Sequence, residues 1–339
     1  MIRTVTLGQS NSILKIKHYL TEKNGFSNYD IPIQYNDNKV INMTDLYYIN
    51  NCDVVLFFGT FGSNHPNRQW QPDTKNLRQA WLETINSFIS NYCKSINKKI
   101  IVFETGTLCR VRSAITGTTY WKDETPFYYR MGLQHWTYGK ATFANPTRDR
   151  LKKYLINNPD YKDQLSNQFY NHQWKNNKDG YILICLGLEN DPTATKPIDQ
   201  FVEEAYNEIR KYTDRKIIVK PHPHTQIDFS KYETVYNKMQ PGWDKLSLKN
   251  LSDKIYCAVL DNSTSIFELT FLGIPCFTSK ANFGYKLKNN DLSNIENIYY
   301  CTPEEMKEWY NEMAHTEFTL KEIGSDEHLE IIKEMLTCE

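Results

Sequence analysis

Leu260-Asp-Asn-Ser-Thr-Ser-Ile-Phe-Glu-Leu-Thr-Phe-Leu-Gly-Ile-Pro275 is the stretch whose reading decides the fold. An apolar run, Ile255–Leu260, has the length and β-branched content of a buried strand. It breaks at five polar residues, resumes as a short apolar helix over 266–272, and stops at Gly273-Ile-Pro275. That is one strand–turn–helix unit with a hydroxyl-rich turn. Ser263, Thr264 and Ser265 stand where the helix begins, and Glu268 lies one turn in. Backbone N–H groups and hydroxyls at such a turn suit a phosphate, and the carboxylate suits a ribose or sugar hydroxyl. The alternative is purely local: Ser265 as N-cap and Glu268 as its capping-box partner.

Working outward, the same alternation recurs on both sides. Tyr181-Ile-Leu-Ile-Cys-Leu closes at Gly187, a helix is spelled by Phe201, Val202, Ala205 and Ile209, and Lys216-Ile-Ile-Val-Lys220 runs into Pro221. Thr302-Pro-Glu-Glu305 is a helix start, with Thr as N-cap, Pro at the first position and Glu305 completing a capping box. Ser325-Asp-Glu-His begins a last acidic helix. In the first half, Ile2–Leu7, residues 53–58 and residues 100–103 read as strands, and Leu77 to Tyr92 as an amphipathic helix. Residues 105–145 show no clean period, and a polar stretch, 157–180, reads as a linker. Alternating β and α elements imply parallel sheets with right-handed crossovers. The fold class is therefore α/β with two Rossmann-like domains, 1–175 and 176–339, whose ligands bind at the carboxyl ends of the strands in the cleft between them.

Composition fits this. The chain has 339 residues, 40% hydrophobic and 24% charged, and a formal net charge of +0. Bulk attraction to a polyanion is excluded, but the charge is uneven. Residues 98–153 hold 11 Lys/Arg against 4 Asp/Glu, and 303–339 hold 3 against 11. Such asymmetry marks either a local anionic partner or two solvated faces of opposite sign. The eight cysteines form no CxxC pair and several sit in strand-like runs, which points to reduced thiols and a cytoplasmic setting. No apolar run reaches the ~18 residues of a membrane span, and the start carries no signal-peptide pattern, so no stable membrane association is expected.

A second motif, Val219-Lys220-Pro-His222-Pro-His224-Thr, ends a strand. Its imidazoles can donate to a phosphate or offset its charge; no ligand set for a metal surrounds them, and no metal is expected. These two segments resemble the C-terminal half of bacterial capsule and lipopolysaccharide glycosyltransferases of the GT-B type, including Kdo-transferase-like and glycerophosphotransferase-like enzymes. The match rests on Lys220-Pro-His-Pro, on Asn262-Ser-Thr-Ser followed by Glu268, and on Gly273-Ile-Pro. The resemblance implies that His222, Ser263, Thr264 and Ser265 bind a donor's phosphates and that Glu268 meets its ribose. It also implies that Gly187-Leu-Glu-Asn-Asp191 is a further donor loop; Lys220, His224 and Asn262 complete the expected donor side. The donor expected on this resemblance is a nucleotide-sugar, a UDP-sugar in preference to a CMP-sugar, with no other cofactor required.

Phe103-Glu-Thr-Gly106 is similar to a Glu-x-Gly segment of the same enzymes. An inverting transfer needs a base for the acceptor hydroxyl, and Glu104 is the candidate, with Asp53 and Asp261 behind it. The alternative for Glu104 is a carboxylate satisfied by local N–H groups or by Arg110. Tyr129-Arg-Met-Gly, Gly139-Lys-Ala-Thr-Phe and Asp149-Arg resemble a segment of phage-borne proteins. Arg110, Arg112, Arg130, His135 and Trp136 lie in a stretch mixing basic and aromatic residues, a pattern able to pair with phosphates and stack on bases or sugar rings. The alternative is that they pack that stretch onto its own domain. The acceptor expected on this basis is a 5-hydroxymethylpyrimidine in double-stranded phage DNA, modified in a host cytoplasm. A surface polysaccharide is the other acceptor, a sugar-nucleotide epimerase uses the same architecture, and a non-catalytic nucleic-acid-binding module would leave the donor motifs without a purpose.

Overall fold

A computed structural model describes residues 2–7, 16, 20, 26–31, 41–58, 88–117, 128–133, 149–189, 191, 194–222, 225, 227–235, 247–280 and 282–337. Among these residues the chain builds two sheets. The first joins β1 (Ile2–Leu7), β2 (Phe26–Ile31), β3 (Val54–Phe58), β4 (Ile100–Thr105), β5 (Tyr128–Leu133) and β10 (Glu317–Thr319) in the order β10-β5-β4-β3-β1-β2. The second joins β6 (Tyr181–Cys185), β7 (Ile217–Lys220), β8 (Ile255–Leu260) and β9 (Cys276–Thr278) in the order β7-β6-β8-β9. The pairs of the second sheet are all parallel. Each sheet contains the doubly wound order in which the second strand lies outside the first and the third and fourth lie on its other side. Such an order has a switch point between the first and third strands, where ligands bind.

The α-helices are α1 (Met43–Asn51), α2 (Cys109–Thr116), α3 (Arg150–Asn157), α4 (Lys162–Tyr170), α5 (Ile198–Ile209), α6 (Leu248–Leu251), α7 (Ile266–Phe271), α8 (Pro303–His315) and α9 (Asp326–Thr337). The α/β class, the two sheets and the capping box of Thr302 and Glu305 are as expected. Strand alternation explains the layers. Ile182 and Ile184 face one core, while Leu183 and Cys185 face the other, so β6 is covered on both sides.

Four expectations change. First, β5 runs antiparallel to both β4 and β10, so the first sheet is mixed. Secondly, residues 105–145 are not wholly irregular: they contain α2 and β5. The six residues of β5, Tyr-Tyr-Arg-Met-Gly-Leu, are all buried, so their outward positions are not polar and no alternation betrays the strand. Thirdly, 157–180 is not a bare linker, because Leu165 and Phe169 of α4 are fully buried in a core shared with α3 and α8. Fourthly, residues 317–337 do not stay with the second sheet. β10 adds to the edge of β5, and Ile331, Ile332 and Met335 of α9 cover Val54, Leu56, Ile101 and Phe103 of the first. The chain starts in one sheet, builds the other and returns.

That return accounts for the uneven charge. Arg150 pairs with Glu322 at 3.1 Å and Glu327 at 3.0 Å, and Lys153 also pairs with Glu327. Arg130 and Glu317 lie 3.7 Å apart with both side chains 0% exposed. Basic residues of 98–153 thus meet acidic residues of 303–339 inside the molecule.

The expected helix from Leu77 is described only from residue 88, where it is helical to 95. It buries Ile89 and Cys93 and leaves Phe88 exposed. Six cysteines, at 52, 93, 185, 257, 276 and 301, are buried free thiols. Among the described residues no helix is long and apolar enough to cross a membrane.

Candidate functional site

The carboxyl ends of the strands carry the expected residues. At the switch point of the second sheet, the turn after β6 lies against the turn after β8. A Cβ on Gly187 would come within 2.5 Å of Asn262 Oδ1, so a larger residue there would have to displace the Asn262 side chain. Asn262 and Ser263 are buried, and Thr264 and Ser265 are half-exposed. The turn is held from behind. Asn282 Nδ2 donates to the carbonyls of Asp261 (2.9 Å) and Ser263 (3.1 Å). The Asp261 carboxylate accepts from Thr195 N (2.8 Å), Thr195 Oγ1 (2.7 Å) and Ser279 Oγ (2.7 Å). Asp261 is therefore a clamp for the turn, with three hydrogen bonds on its carboxylate. Thr195, Ser279 and Asn282 carry no signal in the sequence that would have assigned them this role.

The local reading of Ser265 and Glu268 does not hold. Ser265 is the N-cap of α7, but its side chain makes no capping hydrogen bond. Glu268 is not drawn back to the cap; its half-buried carboxylate faces two cations. Burial pushes its pKa up, against the pull of Arg110 first and Lys220 second. Six residues make α7 too short for its dipole to carry an anion site, so the phosphate argument moves from the helix to the side chains. Lys220 ends β7 beside Cys185 of β6, and its carbonyl accepts from Leu186 N at 3.0 Å. His222 is half-exposed, and its carbonyl accepts from Thr225 N at 3.0 Å, which turns the loop back on itself. Thr225 Oγ1 lies 3.3 Å from Glu189 Oε2, tying this loop to the one after β6. His224 lies outside the described residues.

Glu104 stands at the end of β4. Its Oε1 accepts from Thr105 N at 2.7 Å, as the local alternative foresaw, yet burial still pushes its pKa up to about 7. The negative charge of Asp191, in the loop after β6, adds to the rise. A carboxylate of the first sheet and one of the second therefore stand near each other. The turn after Glu104 is fixed by Gly106, where a Cβ would meet Tyr128 Cβ at 2.7 Å and Tyr128 O at 2.8 Å. It is fixed again by Glu317, which accepts from the backbone N of Thr107 (2.6 Å) and Leu108 (3.0 Å) at the start of α2.

Three further expectations are corrected. Asp53 lies before β3, at the opposite end of the sheet, paired with Arg3 at 2.8 Å, which holds its carboxyl below the usual range. Arg112 is 3% exposed and Arg130 is 0% exposed. Arg130 points between sheet and helices, against Glu317 and with its guanidinium 4.5 Å from the Phe283 ring centroid. Neither faces an acceptor. Arg110 is half-exposed, and its charge acts on Glu268, on the donor side. His135 and Trp136 lie outside the described residues. Among the described residues no group of three or more His, Cys, Asp or Glu could hold a metal ion.

No protein-family model matches the chain, and no curated protein does. A solved structure, Thermosulfurimonas dismutans KpsC, beta Kdo 2,7 transferase, is similar to it with 11% identity and a TM-score of 0.47. The match covers 97% of this chain and 99% of that one. Likeness at that level says nothing of residues or activity.

Proposed function

We propose that the chain is a glycosyltransferase of GT-B architecture that moves a sugar from a nucleotide-sugar to a hydroxyl acceptor with Glu104 as base. One observation carries the reading: at the carboxyl ends of the two sheets Glu104 lies within electrostatic reach of Asp191, and Glu268 within reach of Arg110 and Lys220. The resemblance of the Lys220-Pro-His-Pro and Asn262-Ser-Thr-Ser segments to capsule and lipopolysaccharide transferases supports the donor side.

In this mechanism Glu104 takes the proton of the acceptor hydroxyl as its oxygen attacks the anomeric carbon. The bond from that carbon to the phosphate oxygen breaks, and the nucleotide leaves with the bonding electrons. Lys220, His222 and the polar groups of Asn262 to Ser265 meet the charge that develops on the leaving phosphate. A base with a pKa near 7 suits this chemistry, being weak enough to be regenerated and strong enough to accept a proton. Glu268 receives a ribose hydroxyl.

Two facts weaken the DNA acceptor. The local basic surplus is partly spent on Glu317, Glu322 and Glu327, and two of the three arginines expected at the acceptor are buried. The favoured acceptor class is accordingly a saccharide hydroxyl.

The test is transfer of radiolabelled sugar from a panel of UDP- and CMP-sugars onto oligosaccharide acceptors, with 5-hydroxymethylcytosine and 5-hydroxymethyluracil DNA alongside. Label on an oligosaccharide supports the reading, and its loss in Glu104→Gln supports the base. Label confined to hydroxymethylated DNA restores the DNA acceptor. Consumption of donor with no label on any acceptor points to an epimerase.

A further inference from the structure

In the second sheet β6 lies between β7 and β8, so the chain that leaves β6 runs out between the Lys220–Thr225 segment and the Asp261–Ser265 segment. It is fastened to both. Toward β7, Leu186 N donates to Lys220 O at 3.0 Å, and Thr225 Oγ1 donates to Glu189 Oε2 at 3.3 Å. Thr225 is 5% exposed, and its N–H closes the turn on His222 O. Toward β8, Gly187 lies against the Asn262 side chain. Thr195 donates twice to Asp261, from N to Oδ2 at 2.8 Å and from Oγ1 to Oδ1 at 2.7 Å. Asp261 heads the turn that carries Ser263, Thr264 and Ser265. One loop therefore holds both segments expected to meet a donor's phosphate.

We propose that the loop after β6, through Thr195 on one side and Glu189 with Thr225 on the other, is a brace that sets the spacing between His222 and the turn of Ser263 to Ser265, so that both meet one phosphate. The proposal rests on the nucleotide-sugar reading above. It makes Thr195 and Thr225 positioning residues, which act through the groups they hold and touch no substrate. Groups fixed before the ligand arrives incur no ordering cost when it binds, and they are already aimed where charge develops on the leaving phosphate. Asp261 suits its part because a carboxylate accepts on both oxygens, which lets one side chain take the backbone N–H and the hydroxyl of the same threonine.

Calorimetric titration of the full chain with UDP and CMP, and with uridine and cytidine, tests this. Thr195→Val and Thr225→Val each remove one hydroxyl at nearly constant shape. Each lowers affinity for the nucleotide by about threefold to tenfold, the worth of one hydrogen bond, and leaves that for the unphosphorylated nucleoside within about twofold. Thr195→Ser, which keeps the hydroxyl, retains wild-type affinity. The double variant falls no further than the more affected single one, because either break releases the same loop, whereas independent ties would multiply. A double loss equal to the product of the two single losses overturns the brace. So does unchanged nucleotide affinity in either folded single variant, or an equal fall for the nucleoside. Should a valine variant fail to fold, Thr195→Ala or Glu189→Ala breaks the same tie and is read in its place. A wild-type chain that binds neither UDP nor CMP overturns the nucleotide-sugar reading and the brace's role with it; a chain that binds and ignores both substitutions overturns the brace alone.

Discussion

Glu104 keeps its proton up to about pH 7 because it is buried at a strand end and faces Asp191 across the two sheets. Two outcomes follow for this residue. As a base it must be ionised, so kcat/KM should rise with pH and reach half its plateau near pH 7; a profile flat from pH 5 to 8 would remove Glu104 from the chemistry. Its folded pKa is raised above the ordinary 4.5, so the folded state binds its proton more tightly than the unfolded chain. Stability from this group is complete below about pH 4.5 and is lost as pH rises through about 7. Glu104→Gln should therefore melt at the wild-type temperature at pH 4 and be more stable at pH 8, by up to about 3 kcal/mol. Transfer should vanish at both. Greater stability together with lost activity is the signature of a residue kept for function. Within the donor loop, His222→Ala should weaken nucleotide binding about tenfold without shifting the melting temperature, because the half-exposed imidazole is no part of a core. A wild-type affinity in that variant would sink its assignment.

At the scale of elements, the turn between β4 and α2 shows how a short motif is enforced by residues far away. Gly106 lies against Tyr128 of β5, with no room for a methyl group. Gly106→Ala should cost about 2–3 kcal/mol through overpacking and should displace Glu104, two residues earlier. Denaturant melts would read the first effect and the pH profile the second; a variant with wild-type stability would show that the turn can yield. The capping box of α8 was legible because Thr302, Pro303 and Glu305 act within one turn. The capping box at Ser265 was equally legible and did not form; Glu268 lies instead in the field of Arg110 and Lys220, neither of which is local in sequence. The same pattern was thus overruled in one place and obeyed in the other by what lay opposite the helix.

The whole molecule is tied by its C-terminal segment. Glu317 sits at the edge of the first sheet, with Arg130 on one side and the N–H groups of Thr107 and Leu108 on the other. Truncation after Thr316 would strip β5 of its neighbour, uncover Phe103 and Ile101, and leave Arg130 a buried charge without its carboxylate, a loss of about 3–5 kcal/mol from that pair alone. The expected result is an insoluble or unfolded chain, measured by yield and circular dichroism; a truncated chain with a full-length melting transition would contradict this account. The sequence by itself determined the α/β class, most strands of both sheets, the helix cap at Thr302 and the cluster of polar residues at the ends of β7 and β8. These depend on period, turn chemistry and spacing, which neighbours along the chain decide. Tertiary structure alone decided the antiparallel β5, the return of β10 and α9 to the first sheet, the burial of Arg112 and Arg130, and the meeting of Arg110 with Glu268. Each depends on pairing between segments far apart in the chain, by about 280 residues for Met335 against Val54, and no local period records a partner at that distance. The uneven charge is the clearest case: the basic run and the acidic run were both visible, but only the fold could show that Arg130, Arg150 and Lys153 of the one pair with Glu317, Glu322 and Glu327 of the other.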